Sequence, residues 1–260
     1  MADTAAPGID VQLKSELRGS VAVVTVDNRR KLNTLNSALM RDFIAQVEAL
    51  GARDDLRALV LTGAGDTAFI GGASIDEMAT MGRAGAEAFI TLVHKTCDCL
   101  RQLPVPVIAR IDGYALGAGL EVAVSCDLRV ATSRAKFGMP EVKVGLPSVV
   151  EAALIPKLIG WGRARELLLT GDTIDAETAL RWGLVERVVA PQELDREVDK
   201  IIASLLAAGP QAVRSQKRLM REWENLPTDR AIAAGIDALV RALDTDEPER
   251  LLGAFLKRKR

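Results

Sequence analysis

The sequence predicts an α/β protein with a helical C-terminal region, and three observations carry that expectation. Up to about residue 190, short β-rich runs alternate with segments of helical period, in strand–strand–helix units that recur without a strict sequence period. From Pro191 onward no run reads as a strand, and amphipathic helical patterns follow one another to the end. Two glycine-dense turns, GAGDTAFIGGASIDEM (63–78) and IDGYALGAGLE (111–121), each follow a strand and open towards a helix.

In chain order, IDVQLKSEL (9–17) alternates apolar and polar residues, and VAVVTVD (21–27) follows after a short turn, which is a β-hairpin signal. A polar loop, NRRKLNTLN (28–36), ends at Asn36 or Ser37, either of which can cap a helix. That helix carries Leu39, Phe43, Ile44, Val47 and Leu50 on one face and stops at Gly51. RALVLTG (57–63) reads as a buried strand, and a helix spans roughly 83–103 until Pro104 and Pro106 end it. VIARID (107–112) is a strand, an apolar helix follows the second glycine turn, and DLRVAT (127–132) is another strand. The loop KFGMPEVKVGLPS leads to helical patterns around 149–159 and 161–169. A helix capped by Asp175 and stopped by Gly183 then precedes a last strand. Helices at 191–208, 210–224, 228–243 and 246–257 complete the chain, which divides into a disordered N-terminus (1–8), an α/β core (9–190) and a helical region (191–260).

Composition excludes several classes of function. With 260 residues, 48 % hydrophobic and 27 % charged, the chain can bury one sizeable core. A net charge of −1 argues against nucleic acid as a partner, because phosphate binding normally leaves a basic excess. No apolar run approaches a membrane span, and the acidic, polar start is no signal peptide, so a cytoplasmic protein is expected. Cys97, Cys99 and Cys126 fit a reducing compartment and the core better than a metal site. The single histidine, His94, sits in a helical pattern and is read as a surface or interhelical packing residue. Acid–base chemistry therefore falls to carboxylates.

Two carboxylates stand out. Glu121 begins an otherwise apolar helix, and Glu141 lies in a Gly/Pro-rich loop; neither is on a charge-laced face. The glycine turns can aim free backbone N–H groups at one oxygen, which makes an oxyanion hole, or they can simply permit tight turns and close packing. Gly113-x-x-x-Gly117-x-Gly119 matches neither a dinucleotide nor a P-loop pattern, so a phosphate ligand is a weaker reading.

Taken together, LTGAGDTAFIGGASIDEM, IDGYALGAGLEVAVSCDLRVAT, FGMPEVKVGLP, NRRKLNTLNSAL and LLLTGDTIDAETALRWGLVERVV resemble the enoyl-CoA hydratase/isomerase (crotonase) family over nearly the whole chain. The resemblance implies a spiral of ββα units with a C-terminal helical trimerisation region, a trimer or dimer of trimers, and an acyl-CoA thioester as substrate. Coenzyme A is then part of the substrate and no separate cofactor or metal is expected. The implied oxyanion donors are the backbone N–H groups of Ala73 and Ala118. Glu121 would activate water, and Glu141, with a raised pKa, would protonate the α-carbon. Gly72, Ser74, Ile75, Asp76, Gly117 and Pro140 would line the substrate path, and Phe255 and Arg258 would reach the CoA of a neighbouring subunit.

The chain departs from the family pattern in three places. The usual Ala-Gly-Ala-Asp is Gly71-Gly72-Ala73-Ser74, and Ala118 stands where glycine is common. The proline and Gly-rich turn after the second glutamate becomes Leu146-Pro147-Ser148-Val149-Val150-Glu151, which brings a third carboxylate towards the pocket, read as a structural group. The expected activity is hydration of a 2-enoyl-CoA. The alternatives are double-bond isomerisation, another enolate reaction such as decarboxylation or thioester hydrolysis, or acyl-CoA binding without turnover.

Overall fold

After an opening hairpin and helix, the strand pairs β3–β4, β5–β6 and β7–β8 each place one strand in each of two sheets, and this stepping determines where the site lies. The computed structural model describes residues 6–258. Strands β1 (Gly8–Glu16) and β2 (Gly19–Asp27) form an antiparallel hairpin, and α1 (Ser37–Gly51) starts where the Asn36 side chain accepts the Leu39 N–H. Then follow β3 (Leu56–Gly63), β4 (Ala68–Ile70), α2 (Ile75–Met78) and α3 (Arg83–Gln102). The next two units are β5 (Val107–Ile111), β6 (Tyr114–Leu116), α4 (Ala118–Ser125), and β7 (Leu128–Thr132), β8 (Lys136–Gly138). Short 3-10 turns at Pro140–Val144 and Val150–Leu154 lead into α5 (Ile155–Thr170), β9 (Ile174–Asp175), α6 (Ala176–Trp182) and β10 (Arg187–Val189). Helices α7 (Leu194–Ala207), α8 (Pro210–Trp223), α9 (Thr228–Ala242) and α10 (Glu247–Arg258) close the chain.

The larger sheet has the order β1-β2-β3-β5-β7-β10 and is parallel from β2 onward; the smaller has the order β4-β6-β8-β9, with β4, β6 and β8 parallel. Strand β3 is buried along its whole length because both faces of the larger sheet are covered, which explains its unbroken apolar sequence. One face (Ala22, Val24, Leu59, Leu61, Ala109) packs into the main core with Phe43, Val47, Phe89 and Val93 of α1 and α3. The other (Val21, Ala58, Val60, Ile108, Val130) is covered by Leu194, Val198 and Ile201 of α7. The first helix after Pro191 therefore belongs to the packing of the sheet. Lys217 fastens α8 to the same body: its buried ammonium donates to the carbonyls of Leu100 and Val105 and pairs with Asp127 at 2.7 Å.

The structure corrects three sequence expectations. Residues 1–5 of the expected disordered N-terminus lie outside the described residues, but Gly8 is already in β1, paired with Asp27. The helices expected around 149–159 and 161–169 are a 3-10 turn followed by α5, in which Gly160 breaks the helical backbone at φ 76°, ψ 159°. The four strands of the smaller sheet, two or three residues each, replace stretches read as loops or turns. Among the described residues, no helix is long and apolar enough to cross a membrane.

Helix α4 is seated on β4 by a close approach at Gly119, where a Cβ would lie 1.9 Å from the Ile70 carbonyl oxygen. Gly119→Ala must push α4 away from β4. Such overpacking typically costs about 1–3 kcal/mol, so the urea midpoint should fall with an unchanged denaturant slope. An unaltered midpoint would show that this contact does not constrain the fold.

Candidate active site

Three site segments leave the C-terminal ends of three adjacent parallel strands. Strand β4 runs into Gly71-Gly72-Ala73, β6 into Gly117-Ala118, and β8 into Pro140-Glu141. Parallel strands send their continuations out at one edge, the usual place for a ligand in α/β folds.

The first segment is pinned to the loop before α1. The Leu35 N–H donates to the Gly72 carbonyl at 2.9 Å, and the Ser74 N–H donates to the Leu35 carbonyl at 2.8 Å. These two bonds flank Ala73 in a parallel bridge, a pattern that uses both backbone groups of Leu35 and turns those of Ala73 the opposite way. Gly72 reaches this geometry at φ 124°, a conformation open essentially to glycine. The Ala73 N–H is thus presented away from Leu35.

The second donor arises at a helix start. Gly117, at φ 51° and ψ −123°, precedes α4 and accepts the Leu120 and Glu121 N–H groups on its carbonyl. Ala118 is the first helical residue, so its N–H has no acceptor within the helix and adds to the positive end of the helix dipole. A Cβ at Gly117 would lie 2.5 Å from Glu141 Oε1, so the glycine lets that carboxylate approach the turn.

Glu121 is 4 % exposed within a helix buried along its whole length, and its Oε1 accepts the Ala152 N–H at 3.2 Å. Burial first, then the charge of Glu141, pushes its carboxyl up to about 8; the Glu151 charge adds to this and the Ala152 N–H opposes it. Glu141 is half-buried in the 3-10 turn after β8, where its Oε2 accepts the Ser148 hydroxyl at 2.8 Å. The raised carboxyl is that of Glu121, which the apolar helix α4 shields from water.

The remaining expected residues divide. Gly72, Gly117 and Pro140 lie in the three strand-end segments. The Ser74 hydroxyl is spent as the N-cap of α2, accepting the Glu77 N–H at 3.4 Å. Ile75 is exposed, and Asp76 is held in an exposed ion pair with Lys31 at 2.5 Å. Phe255 lies half-exposed on α10 with the C-terminal helices, and the Arg258 side chain is outside the described residues. Two features escaped the sequence: the Ser148 hydroxyl on Glu141, and a 2.7 Å contact between His94 Nδ1 and Glu151 Oε1. His94, expected to be a surface or interhelical packing residue, is half-exposed and also bound to a buried acid. Among the described residues, no group of three or more His, Cys, Asp or Glu side chains is arranged to hold a metal ion.

Two backbone donors beside two acids define a site for reactions that place negative charge on a carbonyl oxygen. The family model for enoyl-CoA hydratase/isomerase matches residues 16–260. A short-chain-enoyl-CoA hydratase of Clostridium acetobutylicum is 35 % identical over 246 residues, covering 94 % of each chain. A crotonyl-CoA hydratase of Syntrophomonas wolfei is 36 % identical over 94 % of this chain and 95 % of its own. A crystal structure of an enoyl-CoA hydratase from Bacillus anthracis superposes with a TM-score of 0.91 at 30 % identity, covering 96 % of each chain. The chain belongs to the enoyl-CoA hydratase/isomerase family and has the crotonase fold. It is an enzyme of that family.

The Glu121 carboxyl ties stability to pH. A raised native pKa contributes stability that is complete below the unfolded value of 4.5 and is lost as pH rises towards about 8. Glu121→Gln carries no such cost. Its melting temperature relative to the native protein should climb between pH 4.5 and 8 and level off above. A difference that stays flat across this range would contradict the buried-acid assignment.

Proposed function

We propose that this chain is an enoyl-CoA hydratase, adding water across the double bond of a short 2-enoyl-CoA thioester to give the 3-hydroxyacyl-CoA. One observation carries the reading: the ends of β4, β6 and β8 gather two outward backbone N–H groups, at Ala73 and Ala118, with Glu121 and Glu141. The names of the relatives support the reaction and the short acyl chain.

Attack of water on the β-carbon drives charge onto the thioester oxygen as an enolate. Donors aimed at that oxygen strengthen as the charge develops, and losing one typically costs about 10²–10³ in rate. The two carboxyls hold one proton between them, since like charges this close do not both ionise readily. The ionised member draws a proton from the water, the protonated member supplies the α-carbon, and the shared proton crosses the pair once per turnover. Burial favours the protonated form of Glu121. The chain also acts as a homo-oligomer, a trimer or dimer of trimers, in this reading. Ile232, Ile236 and Leu239 of α9, with Leu243 just past its end, form an exposed apolar stripe that a second copy would cover.

Purified protein should hydrate crotonyl-CoA, followed as loss of the enoyl-thioester absorbance. Glu121→Gln and Glu141→Gln should each lower kcat by roughly 10²–10⁴. Native-like turnover in either variant would overturn the two-carboxylate site. Conversion of a 3-enoyl-CoA to its 2-enoyl isomer without hydration would replace the hydratase reading with an isomerase.

A further inference from the structure

A pair of groups behind Glu121 has no part in the hydration chemistry. Glu151 sits in the 3-10 turn packed against α3 and α4, its side chain 8 % exposed, with Oε1 on His94 Nδ1. Its Oε2 is buried with no hydrogen-bond partner among the described residues. A buried carboxylate oxygen without a donor is costly, and such atoms accompany catalytic roles or bound water.

Two observations put Glu121 against this pair. The N–H of Ala152, the next residue, donates to Glu121 Oε1. The buried Cys97 thiol of α3 is raised by desolvation and then by the charges of Glu151 and Glu121. On the other side, the His94 side chain is 50 % exposed and lines an open cavity of about 480 Å³ between α3, the 3-10 turn and α8. The charged groups there are occupied elsewhere: Arg101 with Glu224, Arg221 with Gln102, and Asp98 with Gln102.

We propose that Glu151 and His94 form a proton path between the Glu121 carboxyl and the surface cavity. The inference rests on the hydratase reading, in which each turnover shifts the shared proton from Glu121 to Glu141. In the return step a proton from the cavity binds His94 Nε2, the Nδ1 proton passes to Glu151 Oε1, and the Glu151 carboxyl turns over and hands it to Glu121. The half-exposed imidazole exchanges back to its Nδ1–H tautomer with cavity water. An equal proton leaves Glu141 to water, so charge and atoms balance. His94 and Glu151 touch no substrate; they act through Glu121.

A structural pair and a proton path differ in which turnover suffers. With crotonyl-CoA, His94→Ala and His94→Gln should keep the native rate in the first turnover and lose roughly 10–100-fold in steady state. Imidazole, small enough for the cavity, should restore His94→Ala; Glu151→Gln should show the same loss without rescue. An equal loss in the first turnover, an unchanged steady state, or no response to imidazole would overturn the path. Carboxyl ¹³C NMR of the substrate-free protein reads the contact without turnover. Glu151→Gln should lower the Glu121 titration midpoint, because it removes a charge that raises it, and an unmoved midpoint would overturn the proposal. A native protein that hydrates no enoyl-CoA but shows the shifted midpoint would defeat the hydratase reading and leave the carboxyl coupling standing.

Discussion

The parallel pairing of β4, β6 and β8 is the constraint on which the site depends. These strands have three residues each and little stability of their own, yet their register decides where Ala73, Ala118 and Glu141 emerge. They are held from behind by the larger sheet, which feeds each of them through a short connection, and by contacts that admit no side chain, at Gly119 against Ile70 and Gly117 against Glu141. A shift of one residue in any of the three would turn a donor or an acid away from the edge.

Electrostatics follows from the same arrangement. Helix α4 is buried along its whole length, so its one carboxyl meets a low dielectric and a neighbouring acid at once, and it keeps a proton near neutrality. The unusual loop after Glu141 shapes both sides of that acid. Ser148 donates to Glu141, the Ala152 N–H donates to Glu121, and Glu151 adds a third carboxylate. Between them Val150 takes φ 41°, a left-handed conformation that a β-branched residue adopts only when its surroundings force it. That strain sits immediately before Glu151, whose Oε1 meets His94.

Much of this was legible in the sequence. Helices α1 and α3 declare themselves through apolar period and caps, and β3 through an unbroken apolar run that fits two covered faces. Glu121 is visible as a lone acid in an apolar helix, whereas the glycines at strand-to-helix junctions leave open whether they aim backbone donors or only permit tight turns. The smaller sheet was not legible, because three residues between glycines establish no period. The His94–Glu151 contact joins positions 57 residues apart, and no local pattern reports such a meeting. The raised pKa of Glu121 was also hidden, since burial is a property of packing.

The central claim is that two backbone N–H groups, from Ala73 and Ala118, grip one thioester oxygen. Infrared difference spectroscopy of crotonyl-CoA carrying a ¹³C-labelled thioester carbonyl, bound to a turnover-deficient Glu141→Gln protein, tests it directly. Two converging donors polarise the carbonyl and should move its stretch to lower frequency than in free crotonyl-CoA in water. A bound carbonyl with the stretch of the free thioester, or a higher one, would contradict the account.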